Sequence, residues 1–393
     1  MTVSEEKMET EEPYAPFNDI AIIGLGLIGA SLAQALKNSY PGLFVLGVDT
    51  DSRACVVAKE YGWIDGFASP ESNELKDFLE SKADLVVLAI PVQAADFYMK
   101  LLSEANYSGL LTDTLSTKSH ILEAADDLPA ECSYIPGHPM TGSEKNGIDG
   151  ARSDLFEGSN WILCPDENTL PEHFQMLHEL ITGMNARVIS IPREDHDRAV
   201  AIVSHVPHMV ASSLMLLAQD HTDENQTIMR LAAGGFKDTT RVAAGSPKLW
   251  CGIAFDNAEA LADGLSEIEG KIKALHEALL DGDREAFTSM LDEAASARRN
   301  LPAAWIPSSE KLLEVRIPMV DRPGIIAEVA TIASSVGCNI QSIDIDHISE
   351  GSAVLSLILT DEGDIGQLSF QLIDAGYSVS FSPIQPKEHT NVG

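Results

Sequence analysis

The stretch Asn18–Asp49, NDIAIIGLGLIGASLAQALKNSYPGLFVLGVD, decides how the rest of the chain reads. Ile20–Ile23 is a short apolar run of the kind that forms a strand buried on both faces. It breaks at Gly24-Leu25-Gly26-Leu27-Ile28-Gly29, and an Ala/Leu-rich helical pattern follows at once. A second apolar run, Leu43–Val48, ends on Asp49, 20 residues beyond Gly29. Strand, glycine turn, helix, strand and acid in this order make the dinucleotide-binding fingerprint. Gly24 permits the tight turn, Gly26 lets the backbone approach a pyrophosphate, and Gly29 lets helix and strand pack closely. The helix N-terminus offers free N–H groups and a positive dipole end to the phosphates. Asp49 would accept hydrogen bonds from the adenosine ribose. The bland alternative is a glycine turn in an ordinary βαβ unit, and the flanking strand, helix and acid weigh against it.

Outward from this unit, short apolar strands alternate with helical patterns as far as Ile191. Ala83–Ile90, Gly109–Asp113, Ser133–Pro136, Asn160–Cys164 and Ala186–Ile191 continue the strand series, and Ser52–Tyr61 and Glu172–Met184 have helical spacing. This predicts an α/β, Rossmann-type doubly wound domain over 18–191, with ligands beyond the C-terminal ends of its strands. After Pro192 the strand signal fades, and 192–305 reads as an all-α domain. Pro302 and Pro307 mark a linker. Within 306–393, residues 312 to about 384 follow the order βαββαβ, a ferredoxin-like arrangement, before a short tail.

Composition narrows the function. A net charge of −34 argues against nucleic acid or an anionic membrane surface as partner. No apolar run reaches the roughly 18–20 residues of a membrane span, and no basic region followed by an apolar one suggests a secretory signal. Residues 1–17 read as a disordered acidic tail, because the first twelve carry five Glu and one Lys. Five cysteines are scattered with no CxxC pair, which fits reduced thiols in a cytoplasmic protein rather than a disulfide scaffold or a zinc ribbon. In so acidic a chain, an isolated Arg in a polar loop is informative.

Four polar clusters stand out. Asp113-Thr-Leu-Ser116-Thr-Lys118 and Gly137-His138-Pro-Met-Thr-Gly142-Ser143-Glu144-Lys145-Asn-Gly147 each follow a strand, and two strands of one parallel sheet send both loops to the glycine-loop edge. Ser116 and His138 can therefore meet a substrate lying against a nicotinamide ring. His138 reads either as a base that takes an alcohol proton as hydride leaves the same carbon, or as a loop cap. In Ser204-His205-Val-Pro207-His208 the histidines share a helix face, Pro207 kinks the helix, and no third ligand at suitable spacing supports a metal. Gly234-Gly-Phe-Lys237-Asp238-Thr-Thr-Arg241, then Trp250, offers Arg241 either for bidentate binding of a carboxylate or for a surface salt bridge with Asp238.

Together, GLGLIGAS, DTLSTK, GHPMTGSEKNG, SHVPH and GGFKDTTR followed by Trp250 resemble the prephenate/arogenate dehydrogenase family of tyrosine biosynthesis over about residues 18–305. Asp321-Arg-Pro-Gly324 and Gly337-Cys-Asn339-Ile340 are similar to an ACT domain, which some bacterial members carry at this position. The resemblance implies NAD-dependent oxidative decarboxylation of prephenate to 4-hydroxyphenylpyruvate. It assigns proton acceptance to His138 and orientation of His138 and substrate to Ser116. Arg241 would bind a substrate carboxylate, with Asp238 and Trp250 beside it; His205 and His208 would line the pocket, and Ser143, Glu144 and Lys145 would form its mouth. Gly24, Leu25, Gly26, Leu27, Ile28, Gly29, Asp49, Arg53 and Pro91 would hold the cofactor. Arg53, four residues past Asp49, keeps NADP open, and His208 favours prephenate over arogenate. A homodimer through the helical domain is implied, as is tyrosine as effector at Asp321, Gly324, Asn339 and Ile340.

Leu115 and Thr141 depart from the family's usual small residues. The alternatives are an arogenate dehydrogenase, a 3-hydroxyacid dehydrogenase (for which no lysine motif is found in the helical domain), or a non-catalytic amino-acid-sensing protein.

Overall fold

A computed structural model describes residues 15–143, 145, 147–222, 227–299, 312–320, 322, 324–338, 340–349, 352–360 and 363–383. Most of residues 1–17, the linker around Pro302 and Pro307, and the candidate site residues Glu144, Asp321 and Asn339 lie outside these residues.

Six strands, β1 (Asp19–Ile23), β2 (Phe44–Val48), β3 (Gly66–Ala68), β4 (Leu85–Leu88), β5 (Leu110–Asp113) and β6 (Ser133–Ile135), form a parallel sheet in the order β3-β2-β1-β4-β5-β6. This is the doubly wound order, with the switch point between β1 and β4. Ile20 sits between Val45 and Leu85 in register. Ile20 and Ile22 pack into one core, while Ala21 and Ile23 pack into a second on the opposite face. A strand covered on both sides has no polar face to show, so its sequence is uniformly apolar.

The strand series then departs from expectation. β7 (Gly137–Pro139), β8 (Asn160–Leu163) and β9 (Arg187–Ser190) do not extend the parallel sheet. The chain leaves it at Pro136, which has no N–H for a further ladder bond, and Gly137 starts a second, mixed sheet in which β7 runs antiparallel to β8. His138 therefore lies on a strand, opposite Ile162, and not in a loop.

The second sheet continues into the C-terminal unit. β10 (Leu312–Val320), β11 (Ile340–Ser349), β12 (Ser352–Thr360) and β13 (Val379–Pro383), with helices Ile325–Ser335 and Ile365–Asp374, have the predicted βαββαβ order. The full sheet runs β11-β12-β10-β13-β9-β8-β7, with Val379 opposite Ser190. Helix Ile365–Asp374 packs against helix Pro171–Gly183, and at Gly366 a side chain would strike the Pro171 carbonyl. The unit is thus built into the α/β region by strand pairing and by helix contact.

Residues 193–299 carry helices and no strand among the described residues, with short breaks such as 231–233 and 245–246. Arg193–Val200 passes into a π-helical turn at Ala201–His205 and then into helix Val206–Thr222. The widened turn directly precedes Pro207, which cannot donate to a regular ladder. The run Arg193–His221 is long and apolar enough, by length and composition alone, to cross a membrane, although its apolar window is only 33% buried in this chain. The expectation that no segment reaches that length counted uninterrupted apolar residues, whereas a helix tolerates interspersed polar ones. The N-terminal boundary also shifts: Phe17 is 2% exposed and packs in the α/β core, so the tail ends before it.

Candidate active site

The glycine loop has the geometry its sequence implies. Gly24 has a φ of +98°, and a Cβ there would strike the Ala89 carbonyl. A Cβ at Gly29 would strike the Gly24 carbonyl, so Gly29 serves close packing and is itself buried. Gly26 faces open space at the N-terminus of helix Leu27–Ser39, where a pyrophosphate would approach. Leu25 differs from expectation: its side chain is buried, and its N–H donates to Asp49 Oδ2 at 2.6 Å, so it is not free for a phosphate.

Asp49 Oδ1 accepts the Asp51 N–H at 2.8 Å, and the residue lines a cavity of about 490 Å³ with Phe67, Pro70, Ala94, Phe97 and Tyr98. This apolar slot past β2 and β3 suits a flat base; nothing in the sequence around Phe67 or Tyr98 signalled it. Arg53 points elsewhere, its guanidinium 2.9 Å from Asp149 on the surface.

A larger cavity of about 720 Å³ lies across the sheet edge. Gly26, Leu27, Ile28 and Pro91 line one side; Ser116, His138 and Ser143 line the middle; His205, His208, Arg241 and Trp250 close the far side. Lys145 and Asp238 are exposed and outside this lining. No carboxylate pairs with Arg241 among the described residues, so the alternative salt bridge with Asp238 is not made.

His138 is held by a partner the sequence did not suggest. Its Nδ1 lies 3.0 Å from His196 Nε2, and His196 Nδ1 lies 2.7 Å from Asp197 Oδ1. Ser116 lines the same cavity but makes no hydrogen bond to His138, whose Nδ1 is engaged by His196. Asp197 also accepts the Lys118 N–H at 2.8 Å and the Ser119 N–H and hydroxyl at 2.9 and 2.6 Å. Asn257 Nδ2 spans the Asp197 carbonyl at 2.7 Å and His205 Nδ1 at 3.2 Å. His208 stacks on Trp250 with ring centroids 3.6 Å apart.

Burial, reinforced by the nearby Lys118 cation, drives His138 well below the usual imidazole range. Burial likewise lowers His196 and His208 and takes His205 to about 4. Burial alone would raise the Asp197 carboxyl, but hydrogen bonds from His196, Ser119 and the Lys118 amide outweigh it and hold the group far down. The His196–Asp197 contact is therefore a hydrogen bond between a neutral ring and a carboxylate. Among the described residues no group of three or more His, Cys, Asp or Glu could hold a metal ion.

A glycine loop facing a neutral buried histidine, with a guanidinium beyond it that no carboxylate pairs among the described residues, defines a dinucleotide-dependent oxidoreductase. The prephenate dehydrogenase nucleotide-binding domain matches residues 32–190 and the prephenate dehydrogenase dimerization domain matches residues 192–293. The prephenate dehydrogenase of Bacillus subtilis is 32% identical over 364 residues, covering 91% of this chain and 95% of its own length. The chain belongs to the prephenate dehydrogenase family. Among solved structures, A. aeolicus prephenate dehydrogenase in complex with hydroxyphenyl propionate and NAD+ superposes with a TM-score of 0.65 at 26% identity, covering 72% of this chain and 98% of that one. Synechocystis arogenate dehydrogenase gives 0.62 at 29% identity, covering 72% and 100%.

Proposed function

We propose that the chain is an NAD+-dependent prephenate dehydrogenase that oxidatively decarboxylates prephenate to 4-hydroxyphenylpyruvate. The observation that carries this reading is the single cavity in which the glycine-loop edge, the neutral His138 and the unpaired Arg241 face one another. The open approach at Gly26 and the acid at Asp49 fit the dinucleotide, and Arg53 in its pair with Asp149 favours NAD over NADP. Bound NAD+ supplies the hydride acceptor. His138 accepts the proton of the ring hydroxyl as the carbon beneath it is oxidised, and the ring carboxylate departs as CO₂, leaving its bonding electrons to the new aromatic ring. Arg241 anchors a substrate carboxylate, His205 and His208 present neutral edges, and Trp250 walls off water. Aromatisation supplies much of the driving force, so the protein's task is orientation and one proton.

The assembly is a homodimer through residues 192–299, and the free thiols suit the cytoplasm. The C-terminal unit is an ACT domain that binds tyrosine near Gly324, where φ is +92°, and Ile340. The continuous sheet from this unit to β7 supports an effect on His138. The purified chain is tested with prephenate or arogenate and with NAD+ or NADP+, following the near-ultraviolet absorbance of the reduced cofactor. Turnover of prephenate with NAD+ is expected; turnover of arogenate alone makes the chain an arogenate dehydrogenase. Tyrosine is expected to inhibit and to raise the melting temperature.

A further inference from the structure

The cavity explains why a histidine faces the substrate, but not which of its nitrogens is free to act. We propose that His196 and Asp197 are positioning residues that fix His138 in the tautomer with Nε2 unprotonated. The inference rests on His138 being the base of the proposed reaction.

The hydrogen-bond pattern has one self-consistent reading. The Asp197 carboxylate can only accept, and it already receives the Lys118 N–H, the Ser119 N–H and the Ser119 hydroxyl. The group 2.7 Å away, His196 Nδ1, must therefore be a donor. A neutral ring that donates from Nδ1 carries a lone pair on Nε2. His138 Nδ1 lies 3.0 Å from that lone pair and must donate to it. The only nitrogen of His138 left with a lone pair is Nε2. Reversing either ring would set two lone pairs, or two N–H groups, against each other in a site closed to water: His196 has no exposed surface, and His138 is 7% exposed. A protonated His196 would donate to both neighbours and put the His138 proton on Nε2, but its burial, reinforced by the nearby Lys118 cation, outweighs the Asp197 hydrogen bond and keeps the ring neutral.

The step follows from that tautomer. The substrate hydroxyl proton moves to His138 Nε2, and the O–H electron pair forms the C=O bond as hydride leaves that carbon for the bound dinucleotide. Loss of CO₂ then sends its electron pair through the ring to that oxygen, and the phenolate takes the proton back from Nε2. The intervening imidazolium keeps its Nδ1–H bonded to His196, no proton passes to His196 or Asp197, and the carboxylate stabilises the cation at one remove.

His196→Leu and His196→Gln separate this role from simple packing. The glutamine amide can still donate to Asp197 and accept from His138, whereas leucine can do neither. In protein labelled with 15N-histidine, with the His138 signals assigned by their loss in His138→Asn, wild type should show an unprotonated Nε2. His196→Gln should retain that signature and most of the turnover. His196→Leu should move the proton to Nε2 and lower kcat roughly 10²–10⁴-fold, with KM little changed. A proton on Nε2 in wild type overturns the proposal, and so does a folded His196→Leu with wild-type kcat. If the leucine variant does not fold, the wild-type spectrum still decides. The NMR signature does not depend on turnover, so a wild-type chain inert toward prephenate would fail the functional reading and leave the tautomer measurement standing.

Discussion

Lys118 Nζ lies 2.6 Å from Asp113 Oδ1, with side chains 1% and 0% exposed. The same carboxylate accepts the Tyr134 hydroxyl at 2.7 Å and the Gly137 N–H at 3.3 Å, while Lys118 also holds the Leu115 carbonyl at 2.8 Å. One ion pair therefore ties the segment bearing Ser116 to the strand bearing His138. Lys118→Met would leave a buried, uncompensated carboxylate, and should destabilise the chain by about 3–5 kcal/mol in urea titration. A loss under about 1 kcal/mol would show that the hydrogen bonds to Asp113 suffice without the cation.

His138→Asn should lower turnover by roughly 10²–10⁴-fold while the protein keeps its melting temperature within a few degrees. In wild type the base works only when neutral, and burial, then Lys118, lowers its affinity for protons. Activity should accordingly persist below the usual histidine range and fall only as pH drops through the lowered value. A loss of kcat/KM centred near pH 6.5, the ordinary imidazole value, would contradict that environment.

Arg241→Ala should chiefly weaken binding. If the substrate carboxylate is desolvated against the guanidinium, the loss is about 2–5 kcal/mol, read as a higher KM or a weaker Kd for a product analogue. Unchanged affinity would remove Arg241 from the binding site.

His178 gives a pH effect on stability away from the site. It is buried on helix Pro171–Gly183, edge-on to Phe381 of β13 with ring centroids 5.6 Å apart, and burial lowers it to about 4. Its folded pKa lies below its unfolded value near 6.5, so the unfolded chain binds the extra proton between those limits. Stability from this group is full above about pH 6.5 and is lost as pH falls toward 4, by about 3 kcal/mol. His178→Phe should flatten that part of the curve of melting temperature against pH; an unchanged slope would assign it to His138, His196 and His205 instead.

The parallel sheet was legible because burial on both faces forces apolar strands and the glycine turn admits few other uses. The second sheet was not: Asn160–Leu163 and Arg187–Ser190 carry the same apolar signal whichever sheet they join, and a short strand does not encode its partner. His138 and Arg241 could be found because each is a lone functional group in a polar stretch after a structural break. His196 and Asp197 could not, since Arg193-Glu-Asp-His-Asp-Arg198 reads as a solvated helix start. Only the packing of that turn beneath β7 turns a surface-like sequence inward. The partner of the His138 ring was hidden for the same reason, because proximity along the fold does not say which way a ring nitrogen faces.

The pairing of β13 with β9 also sets an order of assembly. Ser190 meets Val379, 189 residues further along, and until that strand is made β9 is a bare sheet edge. Pairings across such sequence distances form late and slowly, and an unpaired edge invites a neighbouring chain. During synthesis, the ladder that runs through β8 to His138 stays open on one side until Val379–Pro383 has emerged. A chain stopped at residue 311 would keep its nucleotide fold and its histidine, yet would present β9 to every copy of itself.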